Sequence, residues 1–157
     1  LLPRVEALMK NPNGQPIVRY YARRDGLQAM RQEMARYSTR GDTWYSVVPM
    51  DSLMAIFGKD EFLYYKQRCA RGIKSQSIFS TTSESLRQKL FATAAVHCAE
   101  RKYVPPTVYS SDSGLTIFRD RVAIGSFKNN KCSGLVIESA SVATMMSELF
   151  NLAWLHL

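Results

Sequence analysis

The sequence is poor in the residues on which much catalytic and metal chemistry depends. In 157 residues there are two histidines, His97 and His156, and three cysteines, Cys69, Cys98 and Cys132. The cysteines are far apart, odd in number and form no CxxC, which argues against a zinc site. They read as buried or half-buried thiols of a protein in a reducing cytoplasm. No apolar run approaches the roughly 18–20 residues that a membrane helix needs. The opening LLPRVEALMK lacks a signal peptide's charged start and apolar core. Leu1 is not an initiator methionine, so the chain reads as a fragment of a longer one. No GxSxG, HExxH, P-loop or GxGxxG occurs, and no cofactor is implied.

What is present fits one domain with one core. The 21 Lys and Arg against 13 Asp and Glu give a net charge of +8, which favours anionic partners. The basic residues are scattered in short clusters such as YYARRDG and YKQRCARGIK, so a merely solubilising surface is the plainer reading. After the turn-rich NPNGQP, residues 17–22 (IVRYYA) read as a strand. Asp25 then caps a helix with Leu27, Met30, Met34 and Tyr37 on its apolar face. TWYSVV is a second strand, DSLMAIF a short helical turn, and KDEFLYYKQRCARG a helix with Phe62, Tyr65 and Cys69 inward and Gly72 as its stop. IKSQSIF is a third strand. TTSE is a capping box, Thr81 with Glu84, that opens a helix over 82–99. Strands alternating with helices imply parallel β-α-β units.

The second half changes rhythm. PPTVYS, LTIFR, RVAIGS and GLVIES read as short antiparallel strands joined at Ser113-Gly114, Arg119-Asp120 and Asn129-Asn130. A closing helix, SVATMMSELFNLAWLHL, places Val142, Met145, Leu149 and Leu152 on an apolar stripe packed against the sheet. The fold class is α/β: a mixed sheet flanked by helices, in the order β-α-β-α-β-α-β-β-β-β-α.

The stretch LTIFRDRVAIGSF, residues 115–127, is similar to the strand-turn-strand of phospholipase-D-type phosphodiesterases. Their chemistry uses the pattern HxKxxxxD, with a histidine nucleophile and a lysine that neutralises a phosphate oxygen. With Asp120 as the acid, the histidine position falls on Ser113 and the lysine position on Leu115; shifting by one residue supplies neither group. The frame is expected to be phospholipase-D-like and the chain not to be an enzyme. A diverged phosphodiesterase or nuclease is the alternative.

The longer stretches PIVRYYARRDGL, YYKQRCARGIKSQSI (a YxxxRxxxGI-like segment), LTIFRDRVAIGS and VIESASVATMMSELFNLAWLHL, with Phe150 and Trp154 four apart, occur in one order over nearly the whole chain. In that order the sequence resembles the effector domain of TrmB-like transcriptional regulators. The resemblance implies a phospholipase-D-like domain without catalytic residues, following an N-terminal winged helix that binds DNA. Residues 1–16 would then be the linker and 17–157 a ligand-sensing and dimerisation domain. The partners implied are a second copy, DNA through the winged helix, and a small anionic or sugar ligand.

Open α/β sheets bind ligands outside the carboxyl ends of their strands. That rule selects the loops holding Arg23, Arg24 and Asp25; Asp51; Ser80 and Thr81; and Ser110 and Ser111. Ser126, in the segment GSF, is added because its backbone could cradle an anion. The arginines precede a helix N-terminus, which favours negative charge. Direct nucleic-acid binding through Tyr20, Tyr21, Tyr64 and Tyr65 beside basic residues is weighed against tyrosines packed in the core.

Overall fold

A computed structural model describes residues 15–128 and 131–157. The stretch NPNG and the turn Asn129-Asn130 lie outside the described residues. Seven strands form one mixed sheet: β1 (Ile17–Ala22), β2 (Thr43–Pro49), β3 (Lys74–Ser80), β4 (Ala99–Tyr103), β5 (Ser113–Phe118), β6 (Arg121–Ser126) and β7 (Ser133–Glu138). Their spatial order is β1-β7-β6-β5-β2-β3-β4. β2, β3 and β4 are parallel, as crossover helices require, and the other neighbours are antiparallel. The first strand is therefore not part of a β-α-β unit with β2; it pairs with β7 at the far edge, Ile17 opposite Glu138.

Among the described residues five α-helices cover the sheet: α1 (Arg23–Tyr37), α2 (Met50–Phe57), α3 (Asp60–Ala70), α4 (Glu84–Ala92) and α5 (Ala140–Leu155). On one face α1 to α4 bury Leu27, Met34, Met50, Leu53 and Leu90 against Trp44, Phe79 and Phe118. On the other, α5 buries Ala143 and Phe150 against Ile78, Ile117 and Val122. The pleat of β5 assigns its residues accordingly: Phe118 joins the first core, while Leu115 and Ile117 join the second.

Several local expectations are corrected. The helix read over 82–99 stops at Ala92, and a 3-10 turn (Ala95–His97) leads into β4. Thr93 bends back to donate its hydroxyl to the Lys89 carbonyl at 2.7 Å. Cys98 then takes a left-handed φ of 51°. β4, AERKY, hides from a hydrophobicity pattern because edge strands tolerate charge. PPTVYS is no strand: two prolines cannot donate to a ladder, and Val108 and Tyr109 instead close a turn on the Pro105 carbonyl. α1 begins at Arg23 with Ala22 as its cap, leaving Asp25 in the first turn. In TTSE the cap is Ser83, whose hydroxyl accepts from the Leu86 N–H, and not Thr81.

The last helix turns a different side inward. Val142, as expected, packs inward with Ala143, Met146, Phe150 and Trp154, whereas Met145, Leu149 and Leu152 are more than half exposed. Both stripes have helical spacing; the rings of Phe150 and Trp154, stacked 5.7 Å apart, select the one that packs. Cys69 and Cys98 are not free thiols: they form a disulfide that ties the end of α3 to the 3-10 turn, and Cys132 is the free cysteine among the described residues.

Candidate functional site

β1, β2, β3, β4 and β6 all end on one rim of the sheet, where β5 and β7 begin. All nine residues selected from the sequence lie on or beside this rim, in separate groups. Arg23, Arg24 and Asp25 follow β1, four strands from β2 and so roughly 19 Å away at the usual strand spacing. Arg23 is exposed, with a φ of 63° and its N–H donated to the Cys132 carbonyl. Arg24 turns sideways to the Ile56 carbonyl at 3.3 Å, the Asp60 carboxylate at 3.5 Å and the Phe57 ring. Asp25 is exposed.

The centre of the rim is more organised. The Asp51 carboxylate accepts from the Thr81 hydroxyl, and from the Thr82 N–H at 2.8 Å and hydroxyl at 2.6 Å. Burial alone would raise its pKa, but these three donors outweigh it and hold the carboxyl below the usual range. Ser80 is buried at the end of β3, opposite Pro49. Ser110 and Ser111 are exposed on the loop before β5, where Ser111 accepts from the Ser113 N–H at 3.0 Å.

Ser126 pairs with both Ser113 and Ser133 in the sheet ladder. The ring of Phe127 lies over Gly114 and Gly125, so close that a Cβ on Gly125 would stand 2.7 Å from it. The Phe127 N–H is donated to the Asp112 carbonyl. The GSF segment is thus closed by its own phenyl ring and is no open anion cradle.

Ser113 and Leu115, which the sequence register sets against the histidine and lysine of the phospholipase-D pattern, start β5 on this rim. Asp120 is in the turn at the opposite end of the hairpin, its carboxylate 3.0 Å from the Arg121 guanidinium. A six-residue strand separates it from Ser113 by roughly 17–20 Å, so it cannot share a reaction centre with that position. His156 is exposed at the end of α5.

His97 is interior, 1% exposed, and it leads to a group of residues that the sequence reading did not select. Its Nδ1 is 3.1 Å from an Arg101 nitrogen. Arginine only donates, so Nδ1 accepts and the proton of neutral His97 is on Nε2. Burial, reinforced by Arg101 and Arg68, lowers its pKa to about 4. Arg68 donates to the His97 carbonyl at 2.6 Å and to the Ile73 carbonyl at 3.4 Å. Arg101 also donates to the Leu90 carbonyl at 2.5 Å. Both guanidiniums approach the ring of Tyr65, at 5.5 and 5.2 Å from its centroid. Across from them Arg31 binds Glu61 at 2.6 Å, sandwiched between the rings of Phe57 and Tyr64. Burial lowers the pKa of Arg68 and Arg101, whereas Glu61 outweighs burial and raises that of Arg31.

These side chains border a cavity of about 90 Å³ between the sheet and α1 to α3. Its floor is polar: Ser46, Ser75, Ser77 and Thr116 project from three adjacent strands. Outside it, a groove of about 540 Å³ runs between α1 and α3, and Arg31, Trp44, Tyr64 and Arg68 border both spaces. A sequence signal existed. Leu27, Arg31 and Met34 share one helical stripe, as do Glu61, Tyr65 and Arg68, so each charge sits where a core residue is expected. Of the paired tyrosines, Tyr65 is buried and Tyr20 is 73% exposed; Tyr21 donates to Glu33 at 2.6 Å.

The fold is phospholipase-D-like, an α/β mixed sheet flanked by helices. No protein-family model and no curated protein matches the sequence. Among solved structures, NucT from Helicobacter pylori superposes with a TM-score of 0.64 at 13% identity, covering 87% of this chain and 94% of that one. Nuc from Salmonella typhimurium, a phospholipase D family member, gives 0.57 at 13%, covering 89% and 95%. TrmBL2, an archaeal chromatin protein described with a novel mode of DNA binding, gives 0.58 at 15%. That match covers 98% of this chain, which spans 57% of the TrmBL2 chain. At such identities the likeness shows the fold alone. Among the described residues no helix is long and apolar enough to cross a membrane, and no cluster of His, Cys, Asp or Glu could hold a metal ion.

Proposed function

We propose that the chain is a non-catalytic ligand-sensing and dimerisation domain of a TrmB-like, DNA-binding transcriptional regulator. The observation that carries this reading is the content of the β5–β6 hairpin. Ser113 and Leu115 occupy the strand positions where phospholipase-D chemistry needs an imidazole and an ammonium group. Leu115 is instead packed into the core beneath α5. The TrmBL2 superposition over 98% of this chain supports the DNA-binding part of the reading. In it, residues 1–16 connect to an N-terminal winged helix that contacts DNA, and a small anionic or sugar ligand biases one arrangement of a dimer.

The dimer surface in this reading is the outer side of α5. Met145, Leu149 and Leu152 are exposed there, and the helix carries Glu148 and no Lys or Arg. Two copies of a chain with net charge +8 approach each other most easily across such a face. Leu149→Glu should turn a dimer into a monomer by light scattering while unfolding as the parent chain does; an unchanged mass would remove α5 from the interface.

The diverged phosphodiesterase or nuclease keeps one favourable observation, the coverage of 94% and 95% of the two Nuc-type chains. An assay with bis-p-nitrophenyl phosphate and single-stranded DNA separates the two. The expected result is no turnover above the rate of a Ser113→Ala control; turnover abolished by that substitution would establish the enzyme instead.

A further inference from the structure

The interior between the sheet and α1 to α3 holds more positive charge than its own carboxylates offset. Arg31, Arg68 and Arg101 contribute three guanidiniums; Arg68 is 7% exposed. Glu61, 1% exposed, is the one acidic side chain facing them among the described residues, and it is bound to Arg31. No carboxylate of the described residues lies within 4.0 Å of Arg68 or Arg101, whose hydrogen bonds go to carbonyls, a threonine hydroxyl and the imidazole of His97. Buried charge without a counter-charge is among the most unfavourable features a fold can carry. Such charge persists where something offsets it.

The space beside these groups has the matching size and chemistry. An apolar cavity of about 150 Å³ takes a six-carbon ring, so about 90 Å³ suits a group of roughly four or five non-hydrogen atoms. On the floor Ser46 and Thr116 hydrogen-bond each other at 3.1 Å, and Ser75 and Ser77 add two further hydroxyls where an ordinary sheet face presents Val and Ile. Arginine and hydroxyl donors converging on one point are the usual means of holding a phosphate or carboxylate. We infer that this cavity binds a small oxyanion, phosphate or carboxylate in class, between Arg68 and Arg101 and the Ser75–Ser77 strand. The α1–α3 groove, which shares Arg31 and Arg68 with the cavity, is the way in and has room for the body of a larger anionic ligand. The site is distinct from the rim loops chosen by topology. It also lies across the sheet from the core that holds Leu115 at the lost lysine position. It is defined by interior charge and would exist whether or not the chain regulates transcription.

Thermal unfolding of the full chain at fixed ionic strength, with chloride replaced stepwise by phosphate, sulfate or acetate, tests the inference. At least one oxyanion should raise Tm saturably, by roughly 5 °C or more at a hundredfold excess over its Kd. The phosphate and acetate arms separate a phosphoryl ligand from a carboxylate one. Arg68→Met should abolish the rise by removing a donor. Ser77→Val should abolish it by filling the floor with a residue suited to a strand. Should Arg68→Met fail to fold, Ser77→Val alone decides. A rise that grows linearly without saturating is the general salting effect of excluded anions. That result, no rise at all, or an equal rise in a folded variant would overturn the site.

Discussion

The two faces of the sheet are built from different materials. Beneath α5 the interior is aliphatic and aromatic: Ile78, Ile117, Val122, Ala143 and Phe150, with Tyr45, Leu115 and Trp154 at the margin. Beneath α1 to α4 an apolar core of similar kind surrounds Arg31, Glu61, Arg68, His97 and Arg101, all set among Tyr64, Tyr65 and four hydroxyl side chains. Both faces stabilise the same sheet, and the α5 face does so with aliphatic and aromatic side chains and no buried charge among the described residues. The charges opposite are therefore not demanded by the architecture. Polar groups retained in an interior where apolar ones would serve point to recognition.

The largest expected effect comes from stripping the charged face of its counter-charge. Glu61→Gln leaves Arg31 without its ion pair and all three guanidiniums without a carboxylate. Breaking a buried pair in this way costs about 3–5 kcal/mol, to be read from urea unfolding midpoints. Replacing both members, Arg31→Met with Glu61→Leu, makes this wall resemble the α5 face and should recover most of that loss. If the double variant is as unstable as Glu61→Gln alone, the pair is not an isolated electrostatic unit, and the contrast between the faces is weaker than its composition suggests.

A covalent tie also distinguishes the faces. The Cys69–Cys98 disulfide closes 29 residues between α3 and the 3-10 turn, on the charged side only. A loop of that size predicts roughly 3.5 kcal/mol of stabilisation through the unfolded state. Reduction should therefore lower the unfolding free energy by about that much. By hydrogen exchange, it should deprotect the last turn of α3 and β4 before β5 and β6. A loss spread evenly over both faces would mean that the bond acts on the chain as a whole and does not hold the charged side in place.

The strands beneath α5 were legible in the sequence, because short alternating runs such as RVAIGS and GLVIES need only a period of two to be read. Legibility failed where charge and geometry overrode hydrophobicity. AERKY became an edge strand although three of its five residues are charged, and its place had been filled by a proline-led segment that cannot pair. The α5 stripes were exchanged because helical spacing cannot choose between two apolar sides; ring stacking does. The end of the sheet at which loops gather followed from topology, but topology places loops and not side chains. Arg24 turned to Asp60, and Phe127 covered the Gly-Ser turn. The interior group was visible only as misplaced charge: Arg31 and Arg68 on stripes of core residues, the latter inside the very segment that carried the family resemblance. Their convergence with Arg101 and His97 joins parts of the chain up to 70 positions apart, from Arg31 to Arg101, which no local pattern reports.

The smallest effect concerns pH, and it sharpens the same contrast because, among the described residues, the one buried histidine is on the charged face. Buried among arginines, His97 takes up a proton only near pH 4, whereas in the unfolded chain it does so near 6.5. Between those values the unfolded state binds more protons, so stability is complete above about 6.5 and falls as pH drops toward 4. From pH 7 to pH 5 the loss from this one residue is roughly 2 kcal/mol. The low-lying carboxyl of Asp51, held down by Thr81 and Thr82, titrates below that window and does not confound it. His97→Gln retains an acceptor for Arg101 and should flatten stability between pH 7 and 5 to within a few tenths of a kcal/mol, measured by urea titration at each pH. A parent chain equally stable at both values would show that His97 can accept its proton in place. The guanidiniums around it would then have to be screened by water, and the charged face would be as open as the α5 face is closed.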